Sequence, residues 1–262
     1  MKNIFLVLII ALSIAAVSTQ TSCSKGKHSA TDTLAYEIKT LQQVYNNCNT
    51  DSANCTYINY SYPFFTGEGA AVDTLNNVIL TIFGASNKVS LQQTQQTFIN
   101  AYADMMKHQA DSEQSWYSQT NITVPFQTNT LVCLSIETDD YTGGAHGIYS
   151  TFFTNYDKDA KQFVTLKKLV GDSALKELTS IAEKQFRIAN EIQPDANLET
   201  LGYLFNEGKF YLTDNFTVTD EGITWLYNPY EIAPYAQGTI EVAVSKNDLQ
   251  PLLKKQYQTI WD

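Results

Sequence analysis

The sequence predicts an α+β fold. Segments in which polar and apolar residues alternate, as in strands, occur mostly as neighbouring pairs along the chain. Longer segments with apolar residues at helical spacing separate these pairs. The pattern lacks the regular strand–helix–strand units that would predict an all-parallel sheet, and it contains no internal repeat and no long linker.

The N-terminus has the pattern of a secretory signal. Lys2 precedes a nearly unbroken apolar run at 4–17, which is shorter than the roughly 20 residues that span a bilayer. Small polar residues then lead to Cys23, which resembles the lipobox cysteine of bacterial lipoproteins, although Gln20 replaces the usual leucine. The expectation is a signal peptide at 1–22, lipidation at Cys23 and an extracytoplasmic membrane lipoprotein facing the periplasm or the surface. The alternative is ordinary signal cleavage beside an incidental cysteine.

The charge balance opposes binding to nucleic acid. The net charge is −10, or −11 without Lys2, and Arg187 is the sole arginine. Phosphate recognition needs clustered lysine and arginine, so DNA, RNA and anionic lipid are unsuitable ligands. Membrane contact is therefore expected only through the lipid anchor, which a small polar tether at 23–32 joins to the folded part. The acidic chain would suit a basic partner.

The first elements follow from local patterns. A polar turn between Cys48 and Cys55 separates two alternating runs and predicts a hairpin, closed by a disulfide in an oxidising compartment. Gly84 is suited to end the first helix. Cys133 lies in an apolar run and is expected to be a buried, inert thiol. The predicted strands are 34–45, 56–65, 116–126 and 129–138, and the predicted helices are 72–83 and 90–111.

The second half repeats the alternation of strands and helices. Ser173 and Ser245 are expected to cap helices, and Pro194 to end one. The predicted strands are 148–156, 163–166, 210–218, 222–227 and 239–244, and the predicted helices are 174–192, 198–207 and 247–255.

The connection after the fourth strand carries the sharpest motif, Asp139-Asp140-Tyr141-Thr142-Gly143-Gly144-Ala145-His146-Gly147. Its glycines permit positive φ angles and close backbone approach. One interpretation is a structural or recognition loop. The other brings Asp139, Asp140 and His146 together as metal ligands or as an acid–base group, although adjacent strand residues point to opposite faces. The sequence has no HExxH, GxSxG, P-loop or dinucleotide motif.

The second strand is rich in aromatic residues: Tyr57, Tyr60, Tyr62, Phe64 and Phe65. Core packing explains about two of them on each face of the sheet. An exposed row of tyrosines would instead form a surface for a protein or a sugar, because rings offer a large contact area at a low entropy cost.

The GGAHG loop and the C-terminal third resemble a known family. The segments DYTGGAHG, VTLKKLV and FYLTDNFTVTDEGITWLYNPYEIAPYAQG are similar to the extracytoplasmic domain of the RsiV-like family of lysozyme-binding anti-sigma factors. Residues 33–125 resemble, more weakly, the non-catalytic N-terminal region of the peptidoglycan deacetylase PdaC. The resemblance implies two packed units of antiparallel sheet with helices on one face, an N-terminal unit at 33–125 and a C-terminal unit at 126–262, without a known catalytic centre.

The expected function is a free-standing, non-catalytic binding module of the cell envelope, with no cofactor and no metal. Its partner would be a lysozyme-like protein or a cell-wall glycan such as peptidoglycan. The alternative is a metal-dependent or hydrolytic envelope enzyme centred on the Asp139–His146 loop. The candidate binding residues are Asp139, Asp140, Tyr141, Gly143, Gly144, His146, Tyr230 and Tyr235.

Overall fold

The computed structural model describes residues 33–52, 54–108 and 114–261. The predicted signal peptide, the tether and Cys23 lie outside these residues. The described residues from 33 onward form one compact unit with two sheets and several helices, which confirms the α+β class. No helix within the described ranges is both long enough and apolar enough to cross a membrane.

The elements follow the chain in nine strands and five α-helices within the described ranges. The strands are β1 (Tyr36–Val44), β2 (Tyr57–Phe65), β3 (Tyr117–Gln127), β4 (Leu131–Tyr141), β5 (Ile148–Asp157), β6 (Gln162–Phe163), β7 (Phe216–Val218), β8 (Gly222–Tyr227) and β9 (Ile240–Ser245). The α-helices are α1 (Ala70–Ile82), α2 (Leu91–His108), α3 (Leu166–Val170), α4 (Asp172–Ala189) and α5 (Lys246–Leu249).

Strands β1 to β6 form one sheet in chain order. The predicted hairpin of β1 and β2 is confirmed. Strands β2 and β3 are parallel, because α1 and α2 return the chain to the end of the sheet from which β2 starts. The remaining pairs are antiparallel, and the boundary predicted between residues 125 and 126 lies within β3.

The two faces of this sheet differ. Helices α1 and α2 cover one face through a core that includes Ile58, Leu75, Ile79, Ile122 and Leu134. The opposite face is buried against the C-terminal elements near the start of β4. Towards the end of β4 it is exposed and polar, and this exposed part is called the open face below.

Alternate residues of β4 mark the change from burial to exposure on that second face. Cys133 is fully buried and Ser135 is 6% exposed, whereas Glu137 and Asp139 are exposed. Because side chains two residues apart share a face, these four lie in one line from the core to solvent. Burial raises the pKa of the Cys133 thiol to about 12, so the predicted inert thiol is confirmed.

Strands β7, β8 and β9 form a second, antiparallel sheet, and α4 packs against β9. Their core contains Phe186 of α4 and Trp225 and Tyr227 of β8, all at most 1% exposed. This core also takes in Cys133 of β4, so the second sheet packs onto the first one.

Several local predictions need correction. Ser173 does not cap α4, which begins at Asp172 after Gly171 (φ 82°) and has no side-chain cap. The strand predicted at 163–166 is shortened to β6 at 162–163, and Thr165 then caps the unpredicted helix α3. Turns, with a short 3₁₀ segment at Asn206–Gly208, replace the helix predicted at 198–207.

Two further elements are shorter than predicted. The strand predicted at 210–218 is reduced to β7, and the last helix consists of α5 followed by 3₁₀ turns at Gln250–Leu252 and Lys255–Tyr257. Ser245 caps α5 as predicted, because its hydroxyl accepts the backbone N–H of Asp248. Gly84 (φ 71°) follows the end of α1, also as predicted.

Candidate functional site

The GGAHG loop joins β4 and β5 at one end of the six-stranded sheet. The turn between β1 and β2 and the start of β3 lie at the same end, as the strand registers require. The predicted disulfide is present in this turn: Cys48 and Cys55 are bonded at 2.04 Å. Three separate parts of the sequence therefore converge here.

A row of three tyrosines crosses the sheet at this end. Tyr57, Tyr117 and Tyr141 are direct register partners on β2, β3 and β4. The rings of Tyr57 and Tyr117 stack with centroids 6.0 Å apart, and those of Tyr117 and Tyr141 stack at the same distance. This tyrosine row is half-buried and lies on the open face.

A second aromatic group stands beside the loop. His146 stacks on Tyr235 with ring centroids 4.2 Å apart and an interplanar angle of 25°. Tyr149 meets the Tyr235 ring edge-on. Tyr230, which is 54% exposed, also packs against Tyr235, with ring centroids 5.4 Å apart. These four residues are called the His146 cluster, and they include two of the three tyrosines among the candidate binding residues, Tyr230 and Tyr235.

Hydrogen bonds fix the His146 cluster onto the loop backbone. The Tyr235 hydroxyl donates to the Gly147 carbonyl oxygen at 3.0 Å, and His146 Nδ1 lies 2.7 Å from the same oxygen. The Tyr230 hydroxyl lies 3.5 Å from His146 Nε2. Both ring nitrogens of His146 thus have partners within the protein.

The two aspartates lie on opposite faces of β4, as predicted for neighbouring strand residues. Asp139 is exposed on the open face, where its Oδ1 accepts a hydrogen bond from the Tyr117 hydroxyl at 3.2 Å. Burial, together with the Asp139 charge, raises the pKa of Tyr117. Asp140 is directed to the helix-covered face, where Ser118 hydrogen-bonds to it and burial raises the pKa of its carboxyl group.

The loop glycines serve two separate purposes. Gly143 and Gly144 have φ angles of 104° and 105°, which other residues rarely adopt. The backbone of this turn also accepts a hydrogen bond: the Tyr141 hydroxyl donates to the Gly144 carbonyl oxygen at 2.9 Å. Gly147 is needed for space, because a Cβ atom there would lie 2.7 Å from the Tyr117 hydroxyl.

The geometry does not assemble the metal site that was the alternative interpretation. Within the described residues, no group of three or more His, Cys, Asp and Glu side chains is placed to hold a metal ion. Asp140 is separated from Asp139 and His146 by the sheet itself. What the loop presents is an aromatic surface with one exposed carboxylate.

The aromatic-rich strand β2 divides between core and surface. Tyr60 and Tyr62 pack on Phe83 of the helical layer, and Phe65 is 1% exposed. Phe64 is 43% exposed, and Tyr57 joins the tyrosine row. Core packing therefore accounts for Tyr60, Tyr62 and Phe65, whereas Tyr57 and Phe64 lie at the surface.

Sequence reasoning missed Tyr117 and Tyr149, and it did not assign Tyr57 to the site. Tyr117 lies opposite Tyr141 because β3 pairs with the next strand, β4. Tyr149 faces Asp139 in the β4–β5 register. Both partnerships join neighbouring strands of the sequence, whereas the place of Tyr57 in the row depends on the long-range parallel pairing of β2 with β3.

Comparison with family models confirms the predicted resemblance. Residues 48–149 match the family described as Deacetylase PdaC, and residues 167–247 match the family described as Protein of unknown function (DUF3298), the RsiV-like unit. The first match extends through β3 and β4 to include the GGAHG loop. Together, the two matches indicate an envelope-associated domain. No curated protein matches the chain.

Two solved structures share the fold. A DUF3298 family member from Bacteroides fragilis is 23% identical, with a TM-score of 0.67 over 87% of this chain and 97% of that one. A DUF3298 family protein from Pseudomonas aeruginosa is also 23% identical, with a TM-score of 0.65 over 86% and 96% of the two chains. At this identity, the likeness establishes the fold.

Proposed function

We propose that this chain is a non-catalytic binding module of the bacterial cell envelope, held at the membrane by a lipid on Cys23. Its binding surface is the tyrosine row together with the His146 cluster and Asp139. Its ligand is a cell-wall glycan such as peptidoglycan or a basic protein such as a lysozyme.

The convergence of aromatic side chains at one sheet end carries this proposal. Six tyrosines and one histidine from β2, β3, β4, β5, the GGAHG loop and the segment 228–238 meet there. Rings held by stacking and hydrogen bonds lose little conformational entropy on binding, which is why recognition surfaces are rich in tyrosine.

The charge of the chain favours the same classes of ligand. A net charge of −11 without Lys2 accelerates association with a basic protein at low ionic strength. A glycan without acidic groups meets no repulsion from Asp139.

A pull-down with residues 24–262 tests the proposal, using purified peptidoglycan and immobilised lysozyme at low and at moderate salt. Retention on peptidoglycan that salt leaves unchanged identifies a wall-binding module. Salt-sensitive retention on lysozyme identifies a lysozyme-binding module. If neither support retains the protein at low salt, the proposal fails for both ligands.

Two substitutions test whether the proposed surface is responsible for any retention on the supports. Tyr141→Ala and Tyr235→Ala each remove one ring from the proposed surface, and each loss of an aromatic contact is worth about 0.5–1.5 kcal/mol, so retention should fall. Tyr36→Ala is the matched control, because Tyr36 is 38% exposed at the opposite end of the sheet. Equal retention of all three variants would place the binding surface elsewhere.

A further inference from the structure

A polar groove runs from the candidate site along the open face and reaches the second sheet. Its upper stretch, about 330 Å³, is bounded by Gln119, Asn121, Asp139 and Tyr149. Its lower stretch, about 400 Å³, lies between the two sheets. Glu137 and Thr151 line both stretches, so the two are continuous.

The size of the groove suits a chain-like small ligand. Each stretch falls within the range of about 300–1,000 Å³ typical of small-molecule sites. From Tyr149 to Phe153 along β5, at about 3.4 Å per residue, the groove extends roughly 14 Å before it reaches the second sheet.

Most of the residues that line the groove carry a hydroxyl or an amide group. Gln119 and Asn121 supply amides in the upper stretch, and threonines of both sheets supply hydroxyls in the lower one. Such groups donate and accept hydrogen bonds alike, as sugar hydroxyls do. Tyr149 and Phe153 add aromatic surface, against which the C–H face of a sugar ring can pack.

The charges of the groove select among glycans. Its carboxylates are Glu137, Asp139 and Glu241, and no lysine, arginine or histidine is among the residues that line either stretch. Uronic acids and phosphorylated or sulfated sugars would meet uncompensated negative charge. Neutral sugars and sugars with a free amine would not.

The backbone around the groove disfavours a peptide. Strands β3 and β4 are interior strands of the sheet and are paired on both sides. On the outer edge of β5, the backbone N–H groups of Thr151 and Phe153 already donate to the side chains of Asn228 and Asn215. A peptide cannot add to these strands as an extra strand, which is how extended peptides usually gain affinity on a sheet. A ligand in the groove must therefore be recognised by side chains, and their hydroxyl and amide groups can hydrogen-bond to the hydroxyl groups of a sugar.

From these features we infer that the groove binds an oligosaccharide without acidic groups, laid along β4 and β5 from Tyr149 to the second sheet. This inference rests on the proposed binding function, and it names both the ligand class and the side chains that hold the ligand. Glu137 and Asn121, whose Oε2 and Nδ2 atoms lie 3.4 Å apart, form the central contact.

Calorimetric titration of residues 24–262 tests the inference with three probes: the hexamers of N-acetylglucosamine, glucosamine and galacturonic acid. Binding is expected for one or both of the first two and not for the acidic third. The Asn121→Ala, Glu137→Ala double variant removes two hydrogen-bonding groups, so affinity should fall about tenfold. Glu241→Ala, on the other sheet, should weaken binding as well.

Controls separate the groove from general effects. Asn121, Glu137 and Glu241 are exposed, so the variants should melt as the parent does. Glu37→Ala, an exposed carboxylate of β1 outside the groove, should leave affinity unchanged. Binding that survives both groove variants, preference for the galacturonate hexamer, or no binding by any hexamer would overturn the inference.

The inference and the proposed function can fail separately. Retention on peptidoglycan or lysozyme without hexamer binding would contradict oligosaccharide binding in the groove but support the proposed binding module. Failure of every support and every hexamer would remove both.

Discussion

At the scale of single residues, Gly147 controls how closely the loop approaches the tyrosine row. A Cβ atom there would lie 2.7 Å from the Tyr117 hydroxyl and 3.1 Å from the Asp140 carbonyl oxygen. Tyr117 would have to move, and its hydrogen bond to Asp139 would be lost. The third glycine of the motif is therefore required because it has no side chain.

The loss of stability on substituting Gly147 should therefore depend on the hydroxyl of Tyr117. Gly147→Ala is expected to lower the free energy of unfolding by about 1–3 kcal/mol, the usual cost of overpacking. In a Tyr117→Phe background, where the clashing oxygen is absent, the same substitution should cost less. Chemical denaturation of the four proteins of this double-mutant cycle measures the difference. Equal costs in both backgrounds would show that the hydroxyl is not the obstacle.

Asp140 predicts a pH-dependent stability. Burial raises the pKa of its carboxyl group above the ordinary value of 3.8, so the folded state binds the proton more tightly than the unfolded state does. The protonated group favours folding below pH 3.8, and this contribution is lost as the pH rises through the folded-state pKa. Asp140→Asn keeps a neutral partner for Ser118 and should raise the melting temperature at pH 7. The gain should shrink as the pH falls towards 3.8, whereas a constant gain would argue against the desolvation of Asp140.

At the scale of elements, the disulfide-closed turn between β1 and β2 supports the start of the tyrosine row. Cys55 is 2% exposed and precedes Tyr57 by two residues. The bond closes a short loop, with a sequence separation of seven. Its stabilisation should be about 2 kcal/mol, chiefly through the unfolded state.

The Cys48→Ser, Cys55→Ser variant should therefore unfold at a lower urea concentration, with a loss of about 2 kcal/mol. Reducing agent should produce a similar loss in the parent protein and none in the variant. A variant as stable as the oxidised parent would show that the turn is held by its backbone hydrogen bonds alone.

The elements that the sequence predicted best are those with strong local signals. Alternation predicted β1, β2 and β5 to within a few residues, and helical spacing predicted α1. The main errors lie at 198–207 and 210–215, where aromatic and apolar residues fill the second core from turns and irregular segments. In these segments the apolar residues indicate that the chain is buried, but they do not indicate its secondary structure.

The candidate site shows the same limit. The loop and the tyrosines at 230 and 235 could be predicted because the motif and the family resemblance mark them. The contribution of Tyr57 could not, because it depends on the parallel pairing of β2 with β3. The groove depends further on the packing of a second sheet against the first.

At the scale of the whole molecule, the C-terminal turn ties the second core to the first sheet. The Tyr257 hydroxyl donates to Asp157 Oδ2 of β5 at 2.8 Å, and the two residues are at most 2% exposed. The other carboxylate oxygen accepts the backbone N–H groups of Asp159 and Ala160. The bond spans one hundred residues of sequence and joins the end of β5 to the C-terminal turn.

Tyr257→Phe should destabilise the whole fold, because it removes a buried hydrogen bond to a charged group, worth about 2 kcal/mol. Urea unfolding should remain a single transition at a lower midpoint, since the two sheets share one compact unit. Tyr36→Phe, on the exposed edge strand β1, is the control. Two separate transitions in the Tyr257 variant would show that the halves unfold independently.

Hydrogen–deuterium exchange tests the central claim most directly, with residues 24–262 measured alone and with soluble peptidoglycan fragments or lysozyme. We expect one of these ligands to slow exchange in the 142–147 loop, at the start of β3 and in the segment 228–238. Those segments form the proposed surface and are far apart in sequence. Protection confined to α4 or the edge strand β1, or no protection with either ligand, would contradict the claim that the aromatic end of the sheet binds an envelope ligand.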